Sequence, residues 1–239
     1  MVFAGTDRVP INIIESGRAL ALPLFYHEVK MTQHKLAMRK VGIEGVDQLL
    51  WPERDFNAFH WPLQDWVNDR GSFMRYVKNR DTVVQAGGCC GMYPRFYKNY
   101  FKHVYTFEPD PTNYYCLTQN CAVDGIYHQN AALGDSQRTV SLDSPTAPGE
   151  ENNVGMYTIN ENPGQVNMTT LDSLNLERCD LIHFDLEGYE TQALMGAINL
   201  IEKFSPVIIV ERESGRRYLE SIGYRMIQKT SMDSIFVRG

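Results

Sequence analysis

Short apolar runs and amphipathic stretches alternate along the last two-thirds of the chain. Runs rich in Val, Ile and Phe predict strands, and apolar residues three or four positions apart predict the helices between them. The predicted strands are 82–86, 104–108, 126–130, 180–185, 206–211, 224–229 and 234–238. The predicted helices are 91–102, 111–122, 189–203 and 213–222. This alternation favours a parallel sheet with helices on both faces.

The end of the chain predicts one exception to parallel pairing. Residues 230–233 join the last two predicted strands. They are too few for a crossover helix, so these two strands should pair antiparallel. We therefore expect a Rossmann-like α/β fold, with a seven-stranded, mostly parallel sheet that ends in an antiparallel hairpin strand.

Two regions fall outside this alternation. Residues 136–170 contain many turn-forming residues, and such an insertion is either a lid or binding loop, or an edge hairpin without a ligand role.

Residues 1–75 are interpreted as an accessory cap on a domain formed by residues 76–239. The cap would either cover the sheet and close a pocket, or dock a second chain and so form a homo-oligomer. Its clustered aromatic residues are Trp51, Phe56, Phe59, Trp61, Trp66 and Phe73.

The stretch from Asp180 to Glu190 is the most informative part of the chain. A predicted strand ends in Asp185 and Glu187, and a glycine and a predicted helix follow directly. Alternate residues of a strand share one face, which places His183 with these two acids. Ligands of open α/β sheets bind beyond the carboxyl ends of the strands, where the acids would emerge. The segment therefore predicts a functional site.

A glycine-rich turn follows the first predicted strand. Gly87, Gly88 and Gly91 precede a predicted helix, an arrangement that lets a nucleotide-like ligand approach bare backbone. The next predicted strand ends in Glu108, and an acid at this position commonly accepts hydrogen bonds from ribose hydroxyls. Together these features predict a site for a nucleotide-like cofactor.

These motifs, taken in order, resemble the FkbM-type S-adenosylmethionine-dependent methyltransferases. The resemblance covers roughly residues 80–239. The segments that carry it are VQAGGCCGMY (84–93), FEPDPTN (107–113), ALGD (132–135), TLDSL (170–174), IHFDLEGYE (182–190), LMGA (194–197), PVIIVE (206–211) and GY (223–224).

The resemblance implies a class I methyltransferase fold, with S-adenosylmethionine as cofactor and S-adenosylhomocysteine as its product. It also implies O-methylation of a hydroxyl group on a sugar or another small molecule. The cofactor would contact the ends of the first three strands and of the strand before the paired acids. The expected cofactor-binding residues are Gln85, Gly87, Gly88, Cys89, Gly91, Glu108, Pro109, Asn130, Ala131 and Asp185.

Methyl transfer to a hydroxyl is helped by a base within hydrogen-bond reach of the acceptor. Asp185, at the end of the strand beside the cofactor, is the first candidate. His183 is the second because its ordinary pKa is about 6.5, and the alternative for it is a buried structural histidine. Glu187 would orient the substrate or begin the next helix. Glu211 would line the same pocket or remain a surface acid.

Two features depart from the family pattern. The family usually has an acid at the position of Gln85, whose amide can hydrogen-bond a cofactor but cannot attract its ammonium group as a carboxylate would. Cys89 and Cys90 also place two bulky side chains in the glycine turn. A non-catalytic interaction module is therefore one alternative. An NAD-dependent oxidoreductase is another, because the glycine turn imperfectly matches the dinucleotide-binding fingerprint.

A resident metal ion is not expected, because acids on adjacent loops are common without one. The alternative is a divalent cation such as magnesium or calcium, which prefers oxygen ligands. Asp185 and Glu187, together with Glu211 or Asp172, would supply them.

Charge and cysteine usage narrow the expected partners and location. The 239-residue chain has a net charge of −6, so no global basic field would attract nucleic acid. It lacks an apolar run of about 18 residues, so no membrane span is expected. Its five cysteines show no CxxC spacing, and a reducing cytoplasm is the expected location.

Overall fold

The computed structural model of the protein describes residues 35–55, 57–60, 62, 72–145 and 149–239. Its strands are β1 (Leu36–Ile43), β2 (Val46–Pro52), β3 (Thr82–Ala86), β4 (His103–Phe107), β5 (Ile126–Gln129), β6 (Ala132–Leu133), β7 (Arg138–Asp143), β8 (Thr158–Asn160), β9 (Val166–Thr169), β10 (Leu181–Phe184), β11 (Val207–Glu211), β12 (Tyr224–Lys229) and β13 (Asp233–Arg238). Its α-helices are α1 (Met92–Tyr97), α2 (Pro111–Asn120), α3 (Glu190–Met195), α4 (Ile198–Phe204) and α5 (Arg216–Ser221). Two 3-10 helices are Ser72–Arg75 and Asp172–Leu174.

A seven-stranded sheet in the order β12-β13-β11-β10-β3-β4-β5 forms the centre of the fold. Strands β11, β10, β3, β4 and β5 pair in parallel, whereas β13 pairs antiparallel with both β11 and β12. The α/β class and the mostly parallel sheet are thus confirmed, and the predicted strand ends are correct to within one residue. Strands β1, β2 and β6 to β9 lie outside this sheet and were not predicted, so the predicted strand count is too low for the whole fold.

Separate hydrophobic cores cover the two faces of the sheet. Phe184 on one face packs with α3, α4 and α5, for example with Leu194. Leu181 on the other face packs with α1 and α2, through Phe96 and Leu117. Both faces of β3 and β10 are therefore covered, and every residue of these two strands is buried. Such burial on two sides is what selects apolar runs for central parallel strands.

The predicted helix 189–203 is broken in two. The carbonyl of Gly196 accepts a hydrogen bond from the backbone N–H of Asp172 at 2.9 Å. The carboxylate of Asp172 accepts the backbone N–H groups of Asn199 and Leu200, at 3.0 and 2.9 Å, and so caps the start of α4. Asp172 therefore holds a helix end and does not belong to the group of acids at the end of β10.

The helices that the structure describes are short. The α-helices range from six residues in α1 to ten in α2, and the two 3-10 helices have four and three residues. They occupy the predicted positions but are shorter than predicted. In this part of the chain, no helix combines the length and the apolar character needed to cross a membrane.

The insertion at 136–170 contributes to a second, four-stranded sheet. Its order is β6-β9-β7-β8, with β6 and β9 parallel and the other neighbours antiparallel. The chain between β7 and β8 includes residues 149–157, which we call the cover segment. An edge hairpin is thus present, and the cover segment is additional to it.

Strands β1 and β2 form an antiparallel ribbon whose inner side packs against the rest of the molecule. Trp51 and Phe59 share a core with Met92 of α1 and Cys116 of α2. For these aromatic residues, packing favours the covering role over a docking surface. All described residues belong to one compact unit, while the boundary between 75 and 76 and a homo-oligomer remain predictions. The clustered aromatic residues outside the described ranges are Phe56, Trp61 and Trp66.

Gly87 sets the approach between the ends of β3 and β10. Its φ angle is +83°, which favours glycine. A Cβ atom at this position would overlap the backbone carbonyl oxygen of Asp185. The two strand ends therefore reach their observed separation only when residue 87 has no side chain.

We expect Gly87→Ala to lower the free energy of unfolding more than Gly223→Ala. Gly223 also has a positive φ, +88°, but a Cβ there would meet open space, so its replacement costs only backbone strain of about 1–2 kcal/mol. Gly87→Ala adds the overlap with Asp185, a further cost of about 1–3 kcal/mol. Urea denaturation measures both losses. Equal losses would show that the end of β10 moves aside freely.

Candidate active site

A cleft opens beyond the carboxyl ends of β3, β4 and β10. Its volume is about 490 Å³, including its open mouth. The strand ends form its floor, and Val154, Gly155 and Tyr157 of the cover segment also line it. The cleft therefore lies where parallel sheets bind ligands, with part of the insertion as one wall.

The glycine turn after β3 packs closely on its neighbours. A Cβ atom at Gly88 would come within 2.6 Å of the Thr106 hydroxyl, and one at Gly91 within 2.7 Å of the Cys121 sulfur. Neither glycine lines the cleft, whereas Gly87 does. Gly88 and Gly91 thus shape the turn, and Gly87 presents bare backbone to the cleft.

Gln85 is directed into the protein and supports this turn from the interior. Its Nε2 donates to the carbonyl of Gly87 at 2.9 Å, and its Oε1 accepts from the hydroxyl of Thr106 at 2.8 Å. The side chain is buried and does not line the cleft. Its polar atoms hold the turn, and a direct contact with a cofactor remains a prediction.

The paired cysteines do not fill the cleft. Cys90 is buried in the core shared with Trp51, and burial raises the pKa of its thiol well above the usual range. Cys89 is half-buried, and neither cysteine lines the cleft. Their side chains therefore lie outside the lining of the cleft.

Glu108, directly after β4, is fixed at the wall of the cleft. Its Oε2 accepts the backbone N–H of Cys89 and its Oε1 that of Asp110, each at 2.7 Å. Burial, reinforced by the charge of Asp110, raises the pKa of Glu108 to about 8. Asn130 donates to the carbonyls of Glu108 and Pro109, at 2.8 and 3.1 Å. Asn130 therefore supports the Glu108 turn and does not itself line the cleft.

Three acids converge at the ends of β10 and β11. One carboxylate oxygen each from Asp185, Glu187 and Glu211 lies within 4.8 Å of the other two. Burial, followed by the charges of Asp233 and Glu187, raises the pKa of Asp185 well above its usual range. Burial, followed by the charge of Glu211, raises the pKa of Glu187 to about 7. These oxygens would suit a divalent cation, which keeps the metal alternative open.

His183 is surrounded by protein. Its Nδ1 is 2.7 Å from the hydroxyl of Tyr97. Its Nε2 has no hydrogen-bond partner among the described residues and lies 4.0 Å from the carboxylate of Asp233. Burial lowers the pKa of His183 to about 4, and the ring does not line the cleft. This environment favours the structural alternative over a catalytic base.

Three loops around the cleft contain residues with left-handed backbone. Cys89, Glu187 and Arg212 have φ angles of +43°, +51° and +53°, and they follow β3, β10 and β11. Residues other than glycine rarely adopt this backbone conformation, and the resulting strain concentrates at functional sites. The backbone thus marks the same edge of the sheet as the acids.

The structure brings together six of the predicted site residues at the cleft. They are Gly87, Glu108, Pro109, Ala131, Asp185 and Glu187. The predicted residues that do not line it are Gln85, Gly88, Cys89, Gly91, Asn130, His183 and Glu211. Their roles at the site remain predictions.

The cleft also has lining residues that sequence reasoning missed. They are Phe107, Asn113, Ala132, Leu133, Val154, Gly155, Tyr157, Ile159, Leu186 and Tyr189. Asn113 was recognisable because it closes the FEPDPTN segment. The cover-segment residues gave no such signal, because their place depends on how the insertion folds over the sheet.

A parallel α/β sheet with an acid-lined cleft beyond its carboxyl ends defines a Rossmann-like ligand-binding domain. The family model described as "Methyltransferase FkbM domain" matches residues 88–230. This match spans more than half of the 239 residues. The chain therefore belongs to the FkbM methyltransferase family.

Solved structures resemble the chain at low sequence identity. The FkbM methyltransferase from Methylobacillus flagellatus KT is 18% identical with a TM-score of 0.45, and the match covers 66% of this chain but 43% of that one. Trm5b from Pyrococcus abyssi is 13% identical with a TM-score of 0.46, and the match covers 86% of this chain and 56% of that one. An rRNA methylase from Streptococcus thermophilus is 12% identical with a TM-score of 0.42, and the match covers 72% of this chain and 95% of that one. No curated protein matches the chain significantly.

We expect Glu187→Gln to stabilise the protein at about pH 8.5 and to have little effect at about pH 5. The folded protein keeps a proton on Glu187 between its ordinary pKa of 4.5 and the raised pKa of about 7. The unfolded chain has released that proton, so the contribution of Glu187 to stability falls as pH rises through this window. Removing the charge should raise the free energy of unfolding by about 1 kcal/mol at the higher pH.

Thermal unfolding at the two pH values measures this effect, expected as about 2–4 °C for a chain of this size. Glu177→Gln is the control, because Glu177 is exposed and outside the acid cluster. A gain that is equal at both pH values would contradict the raised pKa of Glu187.

Proposed function

We propose that this protein is an S-adenosylmethionine-dependent methyltransferase whose acceptor is a hydroxyl group of a sugar or another small molecule. Membership of the FkbM family supports methyl transfer. The charge of the cleft supports the cofactor, and the position of Asp185 supports transfer to a hydroxyl.

The observation that carries the proposal is the charge of the cleft lining. Glu108, Asp185 and Glu187 line the cleft, and among the described residues that line it none is Lys, Arg or His. S-adenosylmethionine carries a positive sulfonium and a positive ammonium group, whereas NAD carries a negative pyrophosphate. A cation beside these acids favours their ionised form and is attracted by it, whereas a negative pyrophosphate is repelled. The cleft therefore favours the sulfonium cofactor over a dinucleotide.

The residues at the cleft also fit the shape and polarity of this cofactor. Gly87 offers backbone without a side chain, so a ligand can lie against it. Glu108 would accept hydrogen bonds from ribose hydroxyls. Pro109 is rigid and Ala131 is small, and these two apolar residues would flank the adenine of the cofactor. We assign the cofactor-binding role to these residues.

Asp185 would act as the base for the acceptor hydroxyl. When bound, S-adenosylmethionine would supply an electrophilic methyl group, whose C–S bond breaks so that S-adenosylhomocysteine leaves. The Asp185 carboxylate would hold the hydroxyl by a hydrogen bond and take its proton as the new C–O bond forms. Its pKa is raised in the ligand-free cleft, and a neighbouring positive charge favours its ionised form. Leu186 and Tyr189 would exclude water and orient the acceptor, which supplies much of the acceleration.

We expect the wild-type protein to bind S-adenosylmethionine and S-adenosylhomocysteine but not NAD. Glu108→Ala should weaken binding at least about tenfold, because it removes a fixed acceptor from the cleft wall. Isothermal titration calorimetry measures the three affinities. Tighter binding of NAD than of S-adenosylmethionine would overturn the proposed cofactor.

The pH dependence of the same titration reports on Glu108. Affinity for S-adenosylmethionine should rise as pH increases through about 8, because the Glu108 carboxylate forms there and is the form that accepts hydrogen bonds and attracts the cation. Glu108→Gln should weaken this dependence. The substitution cannot titrate, so an unchanged pH profile would assign the dependence to another group.

We expect Asp185→Asn to reduce methyl transfer at least about a hundredfold, the usual contribution of a general base. The affinity for S-adenosylhomocysteine should change less than about threefold, because the amide keeps the size of the side chain. Transfer of labelled methyl from S-adenosylmethionine is measured with a panel of sugars and small hydroxyl compounds. RNA and small amines are included, so that each acceptor class has its own result.

The matched control for this assay is Glu211→Gln. Glu211 belongs to the acid cluster but does not line the cleft, so its loss should change transfer less than about fivefold. Each assay is repeated with magnesium and with EDTA, because the cluster would also suit a cation. Full activity of Asp185→Asn would exclude Asp185 as the base.

A further inference from the structure

We propose that Asp55 is a positioning residue for the cofactor cleft. It holds the backbone of Val154, and thereby keeps the cover segment in place as one wall of the cleft. The N-terminal ribbon would then be part of the binding site. This inference rests on the proposed function, because it concerns the same cleft.

Asp55 is buried and accepts four hydrogen bonds from uncharged donors. One carboxylate oxygen accepts the backbone N–H groups of Ala58 and Val154, each at 3.2 Å. The other accepts the indole N–H of Trp51 at 2.7 Å and the backbone N–H of Phe59 at 3.0 Å. The side chain is thus fixed by the ribbon and its following turn, and it reaches 99 residues along the chain to Val154.

Val154 is held from its other side by a residue of the cleft. Its backbone carbonyl accepts a hydrogen bond from Nδ2 of Asn113 at 2.7 Å. Asn113 is buried and lines the same cleft as Glu108. The backbone of Val154 is therefore bracketed between Asp55 and the wall that carries the proposed ribose-binding acid.

Further contacts join the same two parts of the chain. Nδ2 of Asn57 donates to the carboxylate of Glu150 at 2.9 Å. A guanidinium nitrogen of Arg54 donates to the hydroxyl of Tyr157, also at 2.9 Å. These contacts involve partly buried or exposed groups, whereas Asp55 is buried at the centre of the joint. Its hydrogen bonds are the ones that water cannot replace.

Replacing Asp55 by Asn should locally weaken the contact between the turn after β2 and the cover segment. An amide has one acceptor oxygen in place of two, and its NH2 group would face N–H donors. The N–H of Val154 would compete with three other donors for one oxygen. The cover segment would then sample positions away from the cleft, and the bound cofactor would lose part of its enclosing wall.

Asp180 supplies a matched control at the opposite edge of the sheet. Its side chain is 8% exposed and pairs with Arg178. Its carboxylate also accepts two backbone N–H groups from a distant part of the chain, those of Asp81 and Thr82, at 2.9 and 3.0 Å. Asp180→Asn therefore removes the charge of another largely buried carboxylate that holds distant backbone, without touching the cleft.

The test is calorimetric titration of S-adenosylhomocysteine into the wild type, Asp55→Asn and Asp180→Asn, well below the unfolding temperature of each. We expect Asp55→Asn to weaken binding at least about fivefold, and Asp180→Asn to bind within about twofold of the wild type. Equal affinities for the wild type and Asp55→Asn, or equal losses in both variants, would overturn the positioning role. No binding by the wild type would instead overturn the proposed cofactor, and the role of Asp55 with it.

Hydrogen exchange supplies a readout that a loss of global stability does not reproduce. In Asp55→Asn the amides of Val154 and its neighbours should exchange faster than in Asp180→Asn, while the amides of residues 83–86 and of β10 should remain equally protected in the two variants.

If Asp55→Asn does not fold, Arg39→Met is used. Arg39 is partly exposed, lies 3.9 Å from the Asp55 carboxylate and donates to the backbone carbonyls of Pro52, Glu53 and Asp55, so it holds the turn that carries Asp55. The amides of Phe59 and Val154, which Asp55 holds, should then exchange faster together, and faster exchange of Phe59 with Val154 protected as in the wild type would overturn the proposal.

Discussion

The convergence of acidic side chains at one edge of the parallel sheet is the constraint on which the candidate site depends. Parallel strands end at the same edge, so the acids at the ends of β4, β10 and β11 all lie along it, and those of β10 and β11 converge. Gly87 permits the closest part of this convergence, because its missing Cβ leaves room for the carbonyl of Asp185. The resulting burial raises the pKa of Glu108 and of Asp185. A site that disfavours its own negative charge is ready to accept a cation.

The insertion and the segment that follows the N-terminal ribbon both contribute to the cleft at this edge of the sheet. The cover segment places Val154 and Tyr157 in the wall of the cleft that the acids line. Protein in place of solvent at this wall strengthens the electrostatic interactions within the cleft. It has little regular structure of its own, so its position must come from contacts with other parts of the chain. Asp55 and Asn113 supply these contacts from opposite sides of Val154. The cleft is therefore assembled from segments that are far apart in sequence.

The central sheet could be predicted from the sequence, because its strands are apolar runs with clear glycine and proline boundaries. Glu108 and Asp185 could be predicted as site residues for the same reason, since strand ends locate them. The break at Gly196 could not, because it depends on hydrogen bonds from Asp172 in a distant segment. The insertion was expected to form a lid or an edge hairpin, but its residues at the cleft could not be named. The inward orientation of Gln85 could not be predicted either, because it depends on Thr106 of the neighbouring strand. The sequence pattern thus predicts the buried strands and the residues at their ends. The helix break and the orientation of Gln85 depend on hydrogen bonds between distant segments, which the pattern does not show.

The replacement of the usual family acid by Gln85 has a physical explanation in this arrangement. Position 85 is buried, and its side chain must donate to the carbonyl of Gly87 while it accepts from the hydroxyl of Thr106. An amide satisfies both demands, whereas a carboxylate would lose the donor and carry a charge into the interior. Under the proposed function, attraction of the cofactor's positive groups then falls to Glu187 across the cleft. A base alone would need one carboxylate, and this second task accounts for the presence of more than one.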